Sequence, residues 1–182
     1  LVRNKSVKLL ADNSMQATIK NTRTGALAAS NRNSYRDKPL EESRKTLHEA
    51  IASSYTSAEL LTFKFSGLNS PDSSVVYEYE YKVPNYLGDA AGFKIMKLPW
   101  TDDLQANSGF APDKRTYDLI YVNLANFVKE EITVELPPGY DLIEYDKKTE
   151  YASSAATYSM ELSYRNGIIY GTRTIEYLKW DI

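Results

Sequence analysis

The sequence predicts a mainly β chain, an antiparallel β-sandwich with one packed α-helix in its N-terminal third. Three observations lead there. Ile132, Val134 and Leu136 alternate with Glu131, Thr133 and Glu135 until Pro137-Pro138-Gly139 stops them, the period of a strand with one buried face. Tyr158, Met160, Leu162 and Tyr164 repeat that alternation before Asn166-Gly167, a pair suited to a two-residue type I′ hairpin turn. Only one stretch, near residues 40–54, carries a convincing helical period.

Taken in order, Val7 to Leu10 and Met15 to Lys20 read as short strands around Asp12-Asn13, a turn-forming pair. Ala26 to Ala29 is too short to assign, and Asn31 to Lys38 reads as polar and irregular. Pro39 opens the helix, with Glu41 and Glu42 in its first turn, where the helix dipole favours negative charge. Leu40, Leu47, Ile51 and Tyr55 keep to one face, which carries the helix to about Ser54. Leu61 to Phe65 returns to strand. The run Gly67-Leu68-Asn69-Ser70-Pro71-Asp72 breaks it and marks a boundary between a hairpin-plus-helix subdomain, 1–68, and a sandwich domain, 69–182.

Val75 to Val83 is the cleanest strand. Tyr77, Tyr79, Tyr81 and Val83 face one way, and Glu78, Glu80 and Lys82 the other, so one face is covered and the other polar. Phe93 to Leu98 and Tyr117 to Asn123 add strands around a long loop from Pro99 to Arg115. Seven strands after Asn69, without helices, favour an antiparallel sandwich over an α/β fold. With Asn166-Gly167 as the hairpin loop, Tyr164 faces Ile169, Met160 faces Arg173 and Tyr158 faces Ile175. Arg173 then falls on an otherwise apolar face, either as a paired or snorkelling cation at the sheet margin or as an anion contact.

Composition narrows the function classes. At 182 residues the chain can bury a sizeable core. Its fifteen tyrosines suit a half-buried pleated surface or a ligand-stacking platform, and both require β-structure. A net charge of −2 argues against a nucleic-acid partner, which needs a basic footprint. No apolar run approaches the ~18 residues of a transmembrane helix. The absence of cysteine removes disulfides, thiolate zinc sites and cysteine nucleophiles together. With neither an initiator Met nor a signal-peptide core, Leu1 reads as a cut inside a longer protein.

No catalytic, cofactor or metal motif emerges. His48, the one histidine, reads as an exposed residue of the helix, and a general base would need partners converging from distant segments. Asp102-Asp103, with Asn107, Ser108 and Asp113, lacks calcium-loop spacing and reads as a solvated acidic loop. Neither a nucleophile elbow nor a phosphate-binding glycine pattern is present. Trp100, Tyr86, Phe110 and Trp180 lie near loops or strand ends, where aromatics either close a core or meet a glycan or peptide.

The order of these pieces resembles the β-rich region C-terminal to the catalytic core of bacterial transglutaminase-like proteins. The matching segments are the strand-turn-strand from Val7 to Ser14, Gly25 with small residues and Arg32, and the acidic-start helix from Glu41. Val76 to Tyr81, Lys114-Arg115, Leu136-Pro137-Pro138-Gly139-Tyr140 and a terminal hairpin with Arg173 follow. The Leu-Pro-x-Gly-Tyr corner is the most specific of them. The resemblance implies a non-catalytic accessory segment of a larger exported protein, periplasmic or extracellular. Its implied role is to pack against, orient or feed a neighbouring transglutaminase-like domain, or to engage that domain's substrate. Catalysis in such proteins rests on a Cys-His-Asp triad, and without cysteine no catalytic residue carries over. The other reading is a sandwich module that binds a glycan or peptide.

Overall fold

A computed structural model describes residues 1–101, 126–153 and 156–178. Its elements are β1 (Val2–Leu9), β2 (Met15–Arg23), α1 (Gly25–Tyr35), α2 (Leu40–Ala52), β3 (Glu59–Ser66), β4 (Val75–Val83), β5 (Gly88–Ala90), β6 (Phe93–Ile95), β7 (Phe127–Glu135), β8 (Lys148–Ala152), β9 (Ala156–Arg165) and β10 (Ile168–Tyr177). The mainly β class is borne out. Eight strands join one sheet in the order β3-β4-β2-β1-β7-β10-β9-β8, while β5 and β6 pair as a separate hairpin. Neighbours in the large sheet are antiparallel except β1 and β7, which run parallel. Parallel neighbours need a crossover rather than a tight turn, so this junction joins the two chain ends and makes the sheet mixed. β1 and β2 thus sit between β4 and β7.

The alternation read in the sequence places the core. Val7 and Leu9 of β1, Met15, Ala17 and Ile19 of β2, Ile132 and Val134 of β7, and Ile169 of β10 share one buried face with Ile51 of α2. β4 spans the predicted residues, with Tyr79, Tyr81 and Val83 buried. β1 and β2 are longer than expected. β6 is shorter, ending at Ile95. The expected strand at Tyr117 to Asn123, and the loop beyond Thr101, lie outside the described residues.

Among the described residues there are two helices rather than one. α2 begins and ends close to the predicted residues, yet Leu40 is 67% exposed and takes no part in its buried stripe. α1 covers Ala26 to Ala29, which the sequence left unassigned, and Asn31 to Tyr35 of the stretch read as irregular. It has no apolar stripe; its buried residues are Ala28, Asn31 and Arg32. Arg32 anchors it by donating to the carbonyls of Gly67 and Ser73 in the β3–β4 connection, and Tyr35 stacks on Phe65 of β3, while Asn31 Nδ2 donates within the helix to Leu27 O at 3.0 Å. A short helix gains most of its stability from tertiary contacts, and here those contacts come from β3 and from the turn that follows it.

The terminal hairpin has the predicted register, with Ile169 opposite Tyr164, Arg173 opposite Met160 and Ile175 opposite Tyr158. Asn166 and Gly167 hold φ of 52° and 74°, the left-handed pair of a type I′ turn. A Cβ at Gly167 would meet no atom within 4 Å, so the cost of a larger residue there is conformational. Gly167→Val should therefore lower stability by about 1–3 kcal/mol, read as a lower urea midpoint. An unchanged midpoint would contradict the positive φ at this position.

Candidate functional site

The buried face carries two unusual features side by side. The first is an aromatic wall. Alternation along β4 stacks Tyr77 on Tyr79 with centroids 6.0 Å apart and an interplanar angle of 9°, and Tyr79 on Tyr81 at 6.1 Å and 24°. Phe65 of β3 lies 5.7 Å from Tyr77, and Tyr35 of α1 stacks on Phe65 at 4.8 Å. Tyr55, just after α2, stacks on Tyr81 at 6.0 Å and meets Tyr86 edge-on at 5.9 Å. Burial raises the hydroxyl pKa of Tyr79, Tyr81 and Tyr86 well above the ordinary tyrosine value. These hydroxyls stay protonated at physiological pH and can donate hydrogen bonds.

The second feature is a row of charge across the sheet centre. Strand register aligns Tyr77, Asn21, Arg3, Glu130 and Arg173 on five successive strands. In the adjacent row Tyr79, Ile19, Lys5, Ile132 and Gly171 align likewise. Glu130 is fully buried, and Arg3, Lys5 and Arg173 nearly so. A buried carboxylate demands partners, and Glu130 has them. Arg173 Nη2 donates to its Oε2 at 2.7 Å, while Thr101 N and Oγ1 donate to Oε1 at 2.9 and 2.7 Å. Lys5 Nζ stands 3.8 Å from Oε1 and donates to Pro99 O. Arg173 is thus the paired cation that its place on an apolar face suggested, but at the sheet centre rather than its margin.

The strap from Pro99 to Thr101 crosses this row. Trp100 lies 4.9 Å from the Arg173 guanidinium, a cation–π distance. Gly171 leaves room for its ring: a Cβ there would stand 3.0 Å from Trp100 Cη2 and 2.8 Å from side-chain atoms of Ile132 and Leu162.

Between the helices and the sheet the two features enclose a cavity of about 650 Å³, within the ordinary range of small-ligand sites. Arg3, Lys5 and Arg23 contribute its charge, and no carboxylate lines it among the described residues. Arg23 Nη2 donates to the Tyr77 hydroxyl at 2.7 Å, and its guanidinium lies 5.1 Å from the Tyr77 ring centroid. Among the described residues the buried Arg23 Nε has no hydrogen-bond partner, a cost on the order of 1–3 kcal/mol for an unsatisfied group. A second cavity of about 390 Å³ shares Tyr55, Trp100 and Thr101 with the first and adds Tyr86 and Leu98.

Of the four aromatics singled out from sequence, Trp100 and Tyr86 meet at this second cavity, and Trp100 also lines the first. Phe110 and Trp180 lie outside the described residues, as does the Asp102-Asp103 loop. His48 is exposed on α2, its Nε2 donating to Ala58 O at 3.0 Å. Among the described residues no group of three or more metal-ligating side chains converges, and no helix is long and apolar enough to cross a membrane. Arg3, Lys5, Arg23 and Glu130 were not predicted. Their signal was a charge at an apolar-parity position: Arg3 and Lys5 in line with Val7 and Leu9, and Glu130 in line with Ile132 and Val134.

Comparison with protein families, with curated proteins and with solved structures finds no match to this chain.

Proposed function

We propose that this chain is a non-catalytic binding module, the substrate-engaging accessory segment of a larger exported transglutaminase-like protein. The cavity carries the reading. Stacked tyrosines beside fixed cations suit recognition of a polar body, and donors kept protonated by burial suit binding more than proton transfer. The neighbouring transglutaminase-like domain and a periplasmic or extracellular setting belong to the same proposal, supported by the Leu136-Pro137-Pro138-Gly139-Tyr140 corner and the order of elements around it. A glycan or peptide is the class of ligand that the aromatic wall favours, since ring faces stack on sugars and on peptide planes alike.

Two measurements test it. A thermal-shift screen of short peptides and oligosaccharides should find compounds that raise the midpoint of the native chain and not of a Tyr77→Ala variant. A screen with no such compound removes the binding half. The coding sequence upstream of Leu1 tests the accessory half: it should encode a Cys-His-Asp transglutaminase core, and a different domain there would sink that part alone.

A further inference from the structure

We propose that β8 is a docking edge for a second copy of this chain, the two β8 strands pairing antiparallel about a two-fold axis at Thr149. The two ends of the large sheet differ. At one end β3 is blunted: its register breaks between Leu60 and Thr62, and Arg44 of α2 donates to the Leu60 carbonyl at 2.9 Å. At the other end all five residues of β8 are exposed and its register with β9 is unbroken. Among the described residues no strand pairs with its outer side. Such an edge offers a row of backbone donors and acceptors to any strand that fits it. β8 contributes no residue to either cavity beside the tyrosine wall.

Hydrogen-bond phase and charge select what fits. Ser153 N donates to Ala156 O at 2.9 Å, and Leu162 N donates to Lys147 O at 2.8 Å. Bonded pairs recur at every second residue of an antiparallel ladder. Thr149 and Tyr151 therefore turn their backbone groups to β9, and Lys148, Glu150 and Ala152 turn theirs outward. Two copies related by a two-fold axis meet residue on identical residue at that axis. An axis at Lys148 or at Glu150 sets like charges directly opposite, which is destabilising. One at Tyr151 brings no opposite charges together and carries Lys148 past the end of the facing strand. An axis at Thr149 sets Lys148 of each copy against Glu150 of the other, and both residues have the outward backbone groups that a bonded pair needs. Within one strand Lys148 Nζ lies 2.9 Å from Glu150 Oε1, with the two side chains still 60% and 62% exposed. Pairing about Thr149 closes them into a square of alternating charge. On the other face of the same strands Lys147 falls beside Tyr151 of the second copy, a ring that is 61% exposed in the single chain.

Five-residue strands bury less than the about 1,200 Å² of a stable complex, so the association is weak and concentration-dependent. Sedimentation equilibrium of the whole chain tests it. The native chain should dimerise with a dissociation constant in the high-micromolar range. Lys148→Glu and Glu150→Lys should each weaken the dimer roughly ten- to hundredfold, since each turns two attractive cross-strand pairs into repulsive ones. They do so although they move the net charge in opposite directions. Mixed in equal amounts, the two variants should dimerise again, because an acidic edge then faces a basic one. Recovery on mixing also shows that both variants are folded. A native chain that stays monomeric at millimolar concentration overturns the proposal, whatever other strand the edge accepts. So does a dimer that either variant leaves at native strength, or a mixture of the two that stays monomeric.

Discussion

Glu130→Ala should destabilise the chain by about 3–5 kcal/mol, the cost of leaving buried charge uncompensated. The substitution removes the acceptor of Arg173 at 2.7 Å and of both Thr101 donors, and takes the counter-charge from beside Lys5. The side chains of Glu130, Arg173 and Lys5 are each at least 95% buried, so water does not replace what is lost. Against a typical domain stability of about 5–15 kcal/mol, such a loss is a large fraction of the total. A pair of variants separates broken pairing from lost packing. Glu130→Leu alone leaves Arg173 without its carboxylate; Glu130→Leu with Arg173→Met removes both charges and keeps a side chain against Trp100. The double variant should be more stable than Glu130→Leu by about 2 kcal/mol or more, as buried pairs replaced by apolar residues generally are. Urea unfolding decides it. A Glu130→Ala midpoint close to that of the native chain would mean that the carboxylate is not buried and paired as described.

The same cluster marks where reading the sequence succeeds and where it stops. β4 and the β9–β10 hairpin were legible because strict alternation and a two-residue turn are local signals, complete within about ten residues. Arg173 stood out for the same reason, a charge on the apolar parity of its strand. Its partner did not, because Glu130 meets Arg173 only after β7 pairs with β10, and Lys5 joins them only through the parallel junction of β1 with β7. No local pattern encodes that junction. The two inward cations, Arg3 and Lys5, also hid the first half of β1, since alternation judged by hydrophobicity begins only at Val7.

Helix α1 was missed for a related reason. It is held to the β3–β4 connection by Arg32 and to β3 by the stacking of Tyr35 on Phe65 rather than by an apolar stripe, so its period is invisible to a hydrophobic reading. The cavity needs that helix, because Ser30, Asn31, Ser34 and Tyr35 form part of its wall. What could be seen from sequence was one wall, the tyrosines of β4, and one edge, Trp100. The opposing wall depended on long-range polar contacts. An aromatic strand facing a polar helix is an unusual pairing for a core, and it is what leaves a lined space where close packing would otherwise be expected.

Alkaline solution should unfold this chain steeply, starting near pH 10. An unfolded tyrosine ionises at about 10. Burial raises the pKa of Tyr79, Tyr81 and Tyr86 in the folded chain, and neighbouring tyrosines (Tyr77 beside Tyr79, Tyr55 beside the other two) raise it further. Between those values the unfolded chain has released protons that the folded chain still holds. Stability is therefore complete below about pH 10 and falls as pH rises toward the folded-state values. Each tyrosine contributes a slope of about 1.4 kcal/mol per pH unit, so the three together give about 4 kcal/mol per unit, enough to exhaust an ordinary domain stability within a few units. Tyr81→Phe keeps the ring in its stack and removes one ionisable hydroxyl, so the slope should fall by about one third. Tyrosinate absorbance supplies the second readout: the signal of the buried set should rise together with the loss of near-ultraviolet dichroism, because these hydroxyls ionise only on unfolding. Ionisation that runs ahead of unfolding, or a Tyr81→Phe slope equal to that of the native chain, would show that water reaches the wall of the cavity and that its tyrosines are not the buried donors on which the binding reading relies.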